Sequence, residues 1–228
     1  MSTRTQRPIP LGLTAVIALV SAVVALAFAG GHDATAHNSA HHASSAAITH
    51  SELALRQDMR KLWEDHITWT RLAVVSLTTN SPDTQATVGR LLRNQADIGK
   101  AIVPFYGKSA GRKLTALLRQ HILIAADLIA AAKAGDQDAV ASQQARWRAN
   151  ADEIAAFLSS ANPRSWKLGE MRAMMRAHLG LTTNEVVARL TKNWSADVKA
   201  YDRIHVQILH MADMLSDGLV DQFPARFR

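Results

Sequence analysis

The sequence contains no cysteine among its 228 residues. Disulfide bonds, thiolate metal sites and cysteine nucleophiles are therefore excluded. Aromatic residues make up only 5% of the chain, with 11 glycines and 6 prolines, whereas 48% of the residues are hydrophobic. This composition favours helices over strands and turns, and it predicts an all-α fold.

Two catalytic helix motifs are missing as well. No glutamate is followed by a histidine three residues later, so the Glu-x-x-His pairs of ferritin-like iron bundles are absent, and so is His-Glu-x-x-His. The stretch 107–111 matches Gly-x-Ser-x-Gly. A nucleophilic serine in that motif requires a strand leading into the turn. Here Pro104 and the glycines predict a turn between helices, with Ser109 as the N-cap.

Positive charge is in excess: the chain has 26 lysines and arginines and 19 aspartates and glutamates, which gives a net charge of +7. Such a surface attracts anionic lipid or cell-wall polymer over short range. The basic residues are spread beside acidic ones along the whole chain, without the clusters and stacking aromatics typical of nucleic-acid binding. We therefore expect no nucleic-acid partner.

Residues 1–29 have the features of a signal anchor or a signal peptide. Arg4 and Arg7 precede an uncharged run from Leu11 to Ala29, so everything after the run should be translocated. The length of the run favours a single-pass membrane protein with its domain outside. The small residues around Phe28 resemble a cleavage site, and cleavage after Ala29 would release a secreted protein. Both outcomes remain open.

Residues 30–50 are small and polar, which predicts a flexible tether. Five histidines lie in this tether, and four of them are candidate metal ligands: His32, His37, His41 and His42, with His50 at its end. Imidazoles on an unfolded chain can bind Cu(II), Ni(II) or Zn(II), or they can belong to a simple solvated linker.

From residue 51 onward, apolar residues recur at three- and four-residue steps. This pattern predicts that residues 51–228 form one extracytoplasmic up-and-down bundle of five to six helices. The last two are predicted as a short Met-rich helix around His178 and one long helix from about Thr183 to Val220.

The helices contain an internal repeat. The segments 62–66, 117–121 and 174–178 occupy equivalent places, and each ends in histidine. His66 precedes Asp97 by 31 residues, and His121 precedes Asp152 by 31, while Asp197 belongs to a looser third copy. The repeat predicts three helical hairpins packed together.

Three histidines fall on predicted buried stripes: His66, His121 and His205. A buried imidazole without a partner costs about 1–3 kcal/mol, so each one requires a hydrogen bond or a metal ion. The candidate partners on facing helices are Asp97, Asp152, Asp202, Gln95 and Asn150. A shared site would bind Cu, Zn or Ni through the histidines and aspartates. Simple hydrogen bonding is the alternative.

Four blocks, at 62–71, 94–111, 159–166 and 202–224, resemble the recurring blocks of an uncharacterised family of exported bacterial helical proteins. The resemblance covers nearly the whole predicted domain and implies no established activity, cofactor or site residue. The sequence thus favours a membrane-anchored or secreted, non-enzymatic bundle that binds a transition metal. The alternatives are a module that binds envelope polymer or lipid, and an enzyme with a histidine general base.

Overall fold

The computed structural model of the chain describes residues 48–228. The predicted hydrophobic segment and the four candidate ligands of the tether lie outside this range. Residues 48–228 form helices without any strand, which confirms the predicted all-α bundle. The helices are α1 (His50–Thr79), α2 (Thr84–Ala101), α3 (Val103–Ala134), α4 (Gln137–Ala161), α5 (Leu168–Leu190) and α6 (Trp194–Gln222), followed by a 3₁₀ turn (Pro224–Arg226).

The six helices form a closed ring. Each helix packs against the next one along the chain, and α1 also packs against α6. Short connections between successive helices make neighbours antiparallel, which produces the up-and-down order. Additional contacts join α1 to α3 and α1 to α5. The three hairpins are α1 with α2, α3 with α4, and α5 with α6. Their first helices, α1, α3 and α5, therefore approach one another in the interior, where the candidate site lies.

Local sequence signals account for most helix ends. The side chain of Thr49 accepts a hydrogen bond from the backbone of Glu52 at the start of α1, and Asp136 caps α4 in the same way. Gly135 ends α3 with φ of 74°, a left-handed conformation that glycine adopts without strain.

The predicted break before the long third helix lies at Gly107, inside α3. A short helical segment begins at Val103, and Gly107, with φ of 81° and ψ of 169°, is non-helical and separates this segment from the long helix that follows. Ser109 is exposed within the helix, and no strand precedes it. By length and hydropathy α3 is the one described helix that could cross a membrane, but half of its apolar window is buried in the bundle. A core helix of a soluble protein has the same properties.

The prediction of one long helix from Thr183 to Val220 is wrong. Helix α5 continues to Leu190, and α6 starts at Trp194. Between them Lys192 has φ of 59°, and the Asn193 side chain accepts a hydrogen bond from the backbone of Ala196. This left-handed residue followed by an N-cap stops one helix and starts the next.

Candidate functional site

Three histidines meet in the interior of the ring, one from the first helix of each hairpin. His66 on α1, His121 on α3 and His178 on α5 are 3%, 4% and 5% exposed. The ring centroid of His178 lies 5.9 Å from that of His66 and 6.4 Å from that of His121. We call these three residues the histidine layer.

Each histidine of the layer contacts a side-chain amide on the second helix of its own hairpin. The Nδ1 atom of His66 lies 3.2 Å from Gln95 Nε2, that of His121 lies 2.8 Å from Asn150 Oδ1, and that of His178 lies 3.1 Å from Gln207 Oε1. In all three pairs the partners are 29 residues apart. The threefold repeat is therefore a repeat of histidine–amide pairs.

The amides are themselves held by backbone carbonyl groups. Asn150 Nδ2 donates to Leu117 O at 3.1 Å, and Gln95 Nε2 donates to Leu91 O at 2.9 Å. These bonds orient the amide oxygen of Asn150 toward His121 and the amide nitrogen of Gln95 toward His66. The hydrogen-bond network thus assigns the amide orientations, which in turn assign the histidine tautomers.

The resulting tautomers differ among the three histidines. Because Asn150 and Gln207 present oxygens, His121 and His178 donate from Nδ1 and carry a lone pair on Nε2. Gln95 donates to His66, so His66 carries its lone pair on Nδ1. Turning the Gln95 amide over would give all three histidines the same tautomer, with an Nε2 lone pair on each, but it would break the hydrogen bonds from Gln95 Nε2 to Leu91 O and Asn94 Oδ1.

A small internal cavity of about 40 Å³ adjoins the histidine layer. Besides the three histidines its lining includes Met59, Met175, Met211, Trp63 and Trp166. Several buried polar atoms of this region have no hydrogen-bond partner within residues 48–228, namely His121 Nε2, Gln95 Oε1, Trp63 Nε1 and Trp147 Nε1. Each such atom costs about 1–3 kcal/mol of desolvation.

Burial keeps the histidine layer neutral. Burial, together with the nearby His178 and against the opposing hydrogen bond to Asn150, lowers the pKa of His121 to about 3. Burial likewise lowers the pKa of His66 and that of His178. Neutral imidazole is the form that binds metal ions, so no proton has to leave before binding at pH 7.

The spacing of the layer differs from that of a tetrahedral metal site. As the side chains stand, no group of three or more His, Cys, Asp or Glu residues within 48–228 is placed to hold a metal ion. With metal–nitrogen distances of about 2 Å, two imidazoles on a tetrahedral ion have centroids about 5 Å apart, and two on opposite sides of an ion about 6 Å apart. The observed separations of 5.9 and 6.4 Å exceed the tetrahedral value. Because both involve His178, they cannot both correspond to opposite sides of one ion, so the rings have to move closer for all three to bind it.

Several residues predicted for the core site lie elsewhere. His205 is on the surface, where its Nε2 lies 2.9 Å from Glu64 Oε1 and its side chain is 40% exposed. The half-exposed Asp97 and Asp152 face lysine and arginine side chains instead of histidines, and Asp202 is exposed. Of the predicted ligands, the structure therefore brings together only His66 and His121.

A second polar cluster lies inside the bundle, and the sequence pattern did not predict it. Arg71 on α1 donates to Glu185 at 2.7 Å and, through both of its terminal nitrogens, to Asp197. Arg189 donates to the same Asp197 carboxylate at 3.1 Å. Burial alone would raise the pKa of Asp197, but the hydrogen bonds from the two arginines outweigh it and lower that pKa. This network joins α1, α5 and α6.

The chain was compared with protein-family models, curated proteins and solved structures, and none of them matches. The functional argument therefore depends on the geometry of the chain itself.

Proposed function

We propose that residues 51–228 form a non-enzymatic metal-binding module in which His66, His121 and His178 bind one transition-metal ion. The observation that supports this most strongly is the convergence of three neutral imidazoles, from three different helices, at one buried cavity. Ordinary packing needs no such convergence, because an apolar residue would fill each position without the cost of a buried polar group.

The amide partners support the proposal. Metal-bound histidines generally use their second ring nitrogen to donate to a fixed acceptor, which sets the tautomer and the ring orientation. Asn150 and Gln207 are such acceptors for His121 and His178. Gln95 would become the third acceptor if its amide turned over, at the cost of its hydrogen bonds to Leu91 O and Asn94 Oδ1.

Among copper, zinc and nickel, the site favours copper as Cu(I). A single positive charge is less costly than a double one in a cavity whose lining residues include no carboxylate. Cu(I) accepts two or three ligands, so it requires less rearrangement of the widely spaced rings than a tetrahedral ion does. The thioethers of Met175 and Met211 at the same cavity are soft donors that select Cu(I).

The proposal places this module at the outer face of a membrane. The run from Leu11 to Ala29 behind Arg4 and Arg7 supports an anchor or a signal peptide. The histidines of the 30–50 tether are then a second, weaker site for the same ions. The block resemblance to exported helical proteins agrees with this placement.

The test is a Cu(I) titration of the full chain in detergent, under anaerobic conditions, against a chromophoric copper chelator. Replacing His32, His37, His41 and His42 by alanine removes the tether from the measurement. The core should then bind one equivalent of copper. The His178→Gln substitution should weaken binding by more than about 100-fold, which exceeds the usual effect of losing an outer-shell residue.

The matched control is His205→Gln, which removes a surface histidine and should leave the affinity unchanged. Circular dichroism of both variants verifies the fold. If His178→Gln fails to fold, Asn150→Asp or Gln207→Glu provides the same test, because a carboxylate acceptor should tighten copper binding. Equal affinity in all these variants, or no binding after tether removal, would refute the proposal.

A further inference from the structure

A broad groove of about 1010 Å³ runs along the outer side of α2 and α3. Its floor consists of small residues because the two helices cross in backbone contact. A Cβ atom on Gly99 would lie 2.7 Å from the carbonyl oxygen of Gly111, and a Cβ on Gly111 would lie 2.7 Å from that of Gly99. Only glycine permits this crossing.

Long basic side chains surround the groove. Its lining includes five cations and one carboxylate, namely Lys100, Lys108, Arg112, Arg119, Arg146 and Asp127. This imbalance is large for a chain with a net charge of +7, and it is concentrated on one face. A concave surface lined by one sign of charge focuses the potential and attracts ligands of the opposite charge.

The cations of α3 are spaced along one helix face. Arg112 and Arg119 follow Lys108 by four and eleven residues, which places the three on the same side over about 16 Å. Apolar residues also line the groove: Ala116 lies between Arg112 and Arg119, and the 48% exposed Leu123 lies one turn beyond Arg119. The groove therefore offers repeated cations with apolar surface between them.

We propose that this groove binds an extended anionic polymer whose phosphodiester groups are separated by short uncharged units. An extended polyanion contacts several of these cations at once, so its binding gains from multivalency. A free phosphate contacts only one or two of them. The concave shape favours a single chain over a flat lipid surface, and the groove has no exposed aromatic platform on which bases could stack. This binding is independent of the metal site.

The experiment uses the full chain in phosphatidylcholine nanodiscs and fluorescently labelled poly(glycerol phosphate), with binding followed by polarisation. Four neutralised phosphates predict a slope of about −3 in log K against log salt concentration. The double substitution Arg112→Glu with Arg119→Glu should reduce affinity at least about tenfold and bring the slope to about −1.4. A merely structural effect of the substitutions would not reduce the salt slope.

The matched control is Lys199→Glu with Arg203→Glu, an equal charge change at exposed positions of α6 outside the groove. It should keep the wild-type affinity within about twofold, because Debye screening limits distant charge effects. If the groove variant fails to fold, Lys100→Glu with Lys108→Glu tests the same surface.

Competition distinguishes the sources of phosphate. Unlabelled poly(glycerol phosphate) should displace the label at a lower phosphate concentration than inorganic phosphate, phosphatidylglycerol vesicles or oligo(dT) do. Stronger displacement by vesicles would assign the groove to lipid, and stronger displacement by oligo(dT) would assign it to nucleic acid. Either of these outcomes, or equal loss of affinity in the α6 control, overturns the proposal.

Discussion

The burial of His121 makes the stability of the bundle depend on pH in a calculable way. The folded-state pKa is about 3, against an ordinary value of 6.5. The neutral form is therefore favoured by folding, and the unfolded chain binds the additional proton between these two values. The contribution of His121 is fully present above pH 6.5 and is lost as the pH falls toward 3.

The magnitude follows from the linkage relation. Between pH 7 and pH 5, protonation of unfolded His121 lowers the free energy of unfolding by about 2 kcal/mol. The slope at pH 5.5 is about 1.2 kcal/mol per pH unit for this one residue. His66 and His178, whose pKa values are also lowered, change the stability in the same direction.

The assay is urea unfolding of the full chain, with a metal chelator present, at several pH values from 8 to 5. His121→Gln removes the titrating group. The difference between wild type and variant at pH 8, where His121 is neutral in both the folded and the unfolded state, measures the change in packing and hydrogen bonding without the contribution of titration. This difference should shrink by about 2 kcal/mol between pH 7 and pH 5.

One result would refute this reasoning. If the difference between wild type and His121→Gln stays constant from pH 8 to pH 5, His121 has the same pKa in both states and is not buried as described. Histidine proton resonances give an independent measurement, since the ring signals of His121 in the folded protein should not titrate above pH 5.

Three further predictions concern other parts of the bundle. Arg71→Met should lower the free energy of unfolding by about 3–5 kcal/mol in urea titrations, because it leaves buried carboxylates with fewer cations; a loss below 1 kcal/mol contradicts this. Gly111→Ala should destabilise by about 1–3 kcal/mol through its contact with Gly99, whereas the control Gly89→Ala, whose Cβ meets nothing within 4 Å, should stabilise. Asn150→Ala should lower the free energy of unfolding by about 2–4 kcal/mol and weaken copper binding about 10–100-fold. An unchanged copper affinity would show that Asn150 has no role in copper binding.

The helical architecture was predictable because periodicity, capping residues and composition agree with one another. The boundary between α5 and α6 was not, since Leu190 and Trp194 keep a four-residue apolar spacing across the break at Lys192. The apolar stripe of α6 was also extended too far toward its start. Trp194 and Val198 are 53% and 55% exposed, and the same error placed His205 in the core.

The site was predicted in part, and the rest failed for a reason of helix geometry. His66 and His121 are buried as predicted, and their contacts with the candidate partners Gln95 and Asn150 are confirmed. The aspartates predicted as metal ligands, Asp97 and Asp152, lie two residues beyond these amides. Two residues correspond to a rotation of about 200° around a helix, so Asp97 and Asp152 face outward. The interval of 29 residues, shared by the third pair at His178, was the signal that could have corrected this assignment.

The central claim is that three histidines of the core bind one copper ion. X-ray absorption at the copper edge tests it most directly, on the full chain loaded with one equivalent of Cu(I) and carrying alanines at His32, His37, His41 and His42. The spectrum should contain the multiple scattering of two or three imidazoles. This scattering should decrease in His178→Gln and stay unchanged in His205→Gln. A spectrum without imidazole scattering, or one that His178→Gln leaves unchanged, would contradict the claim.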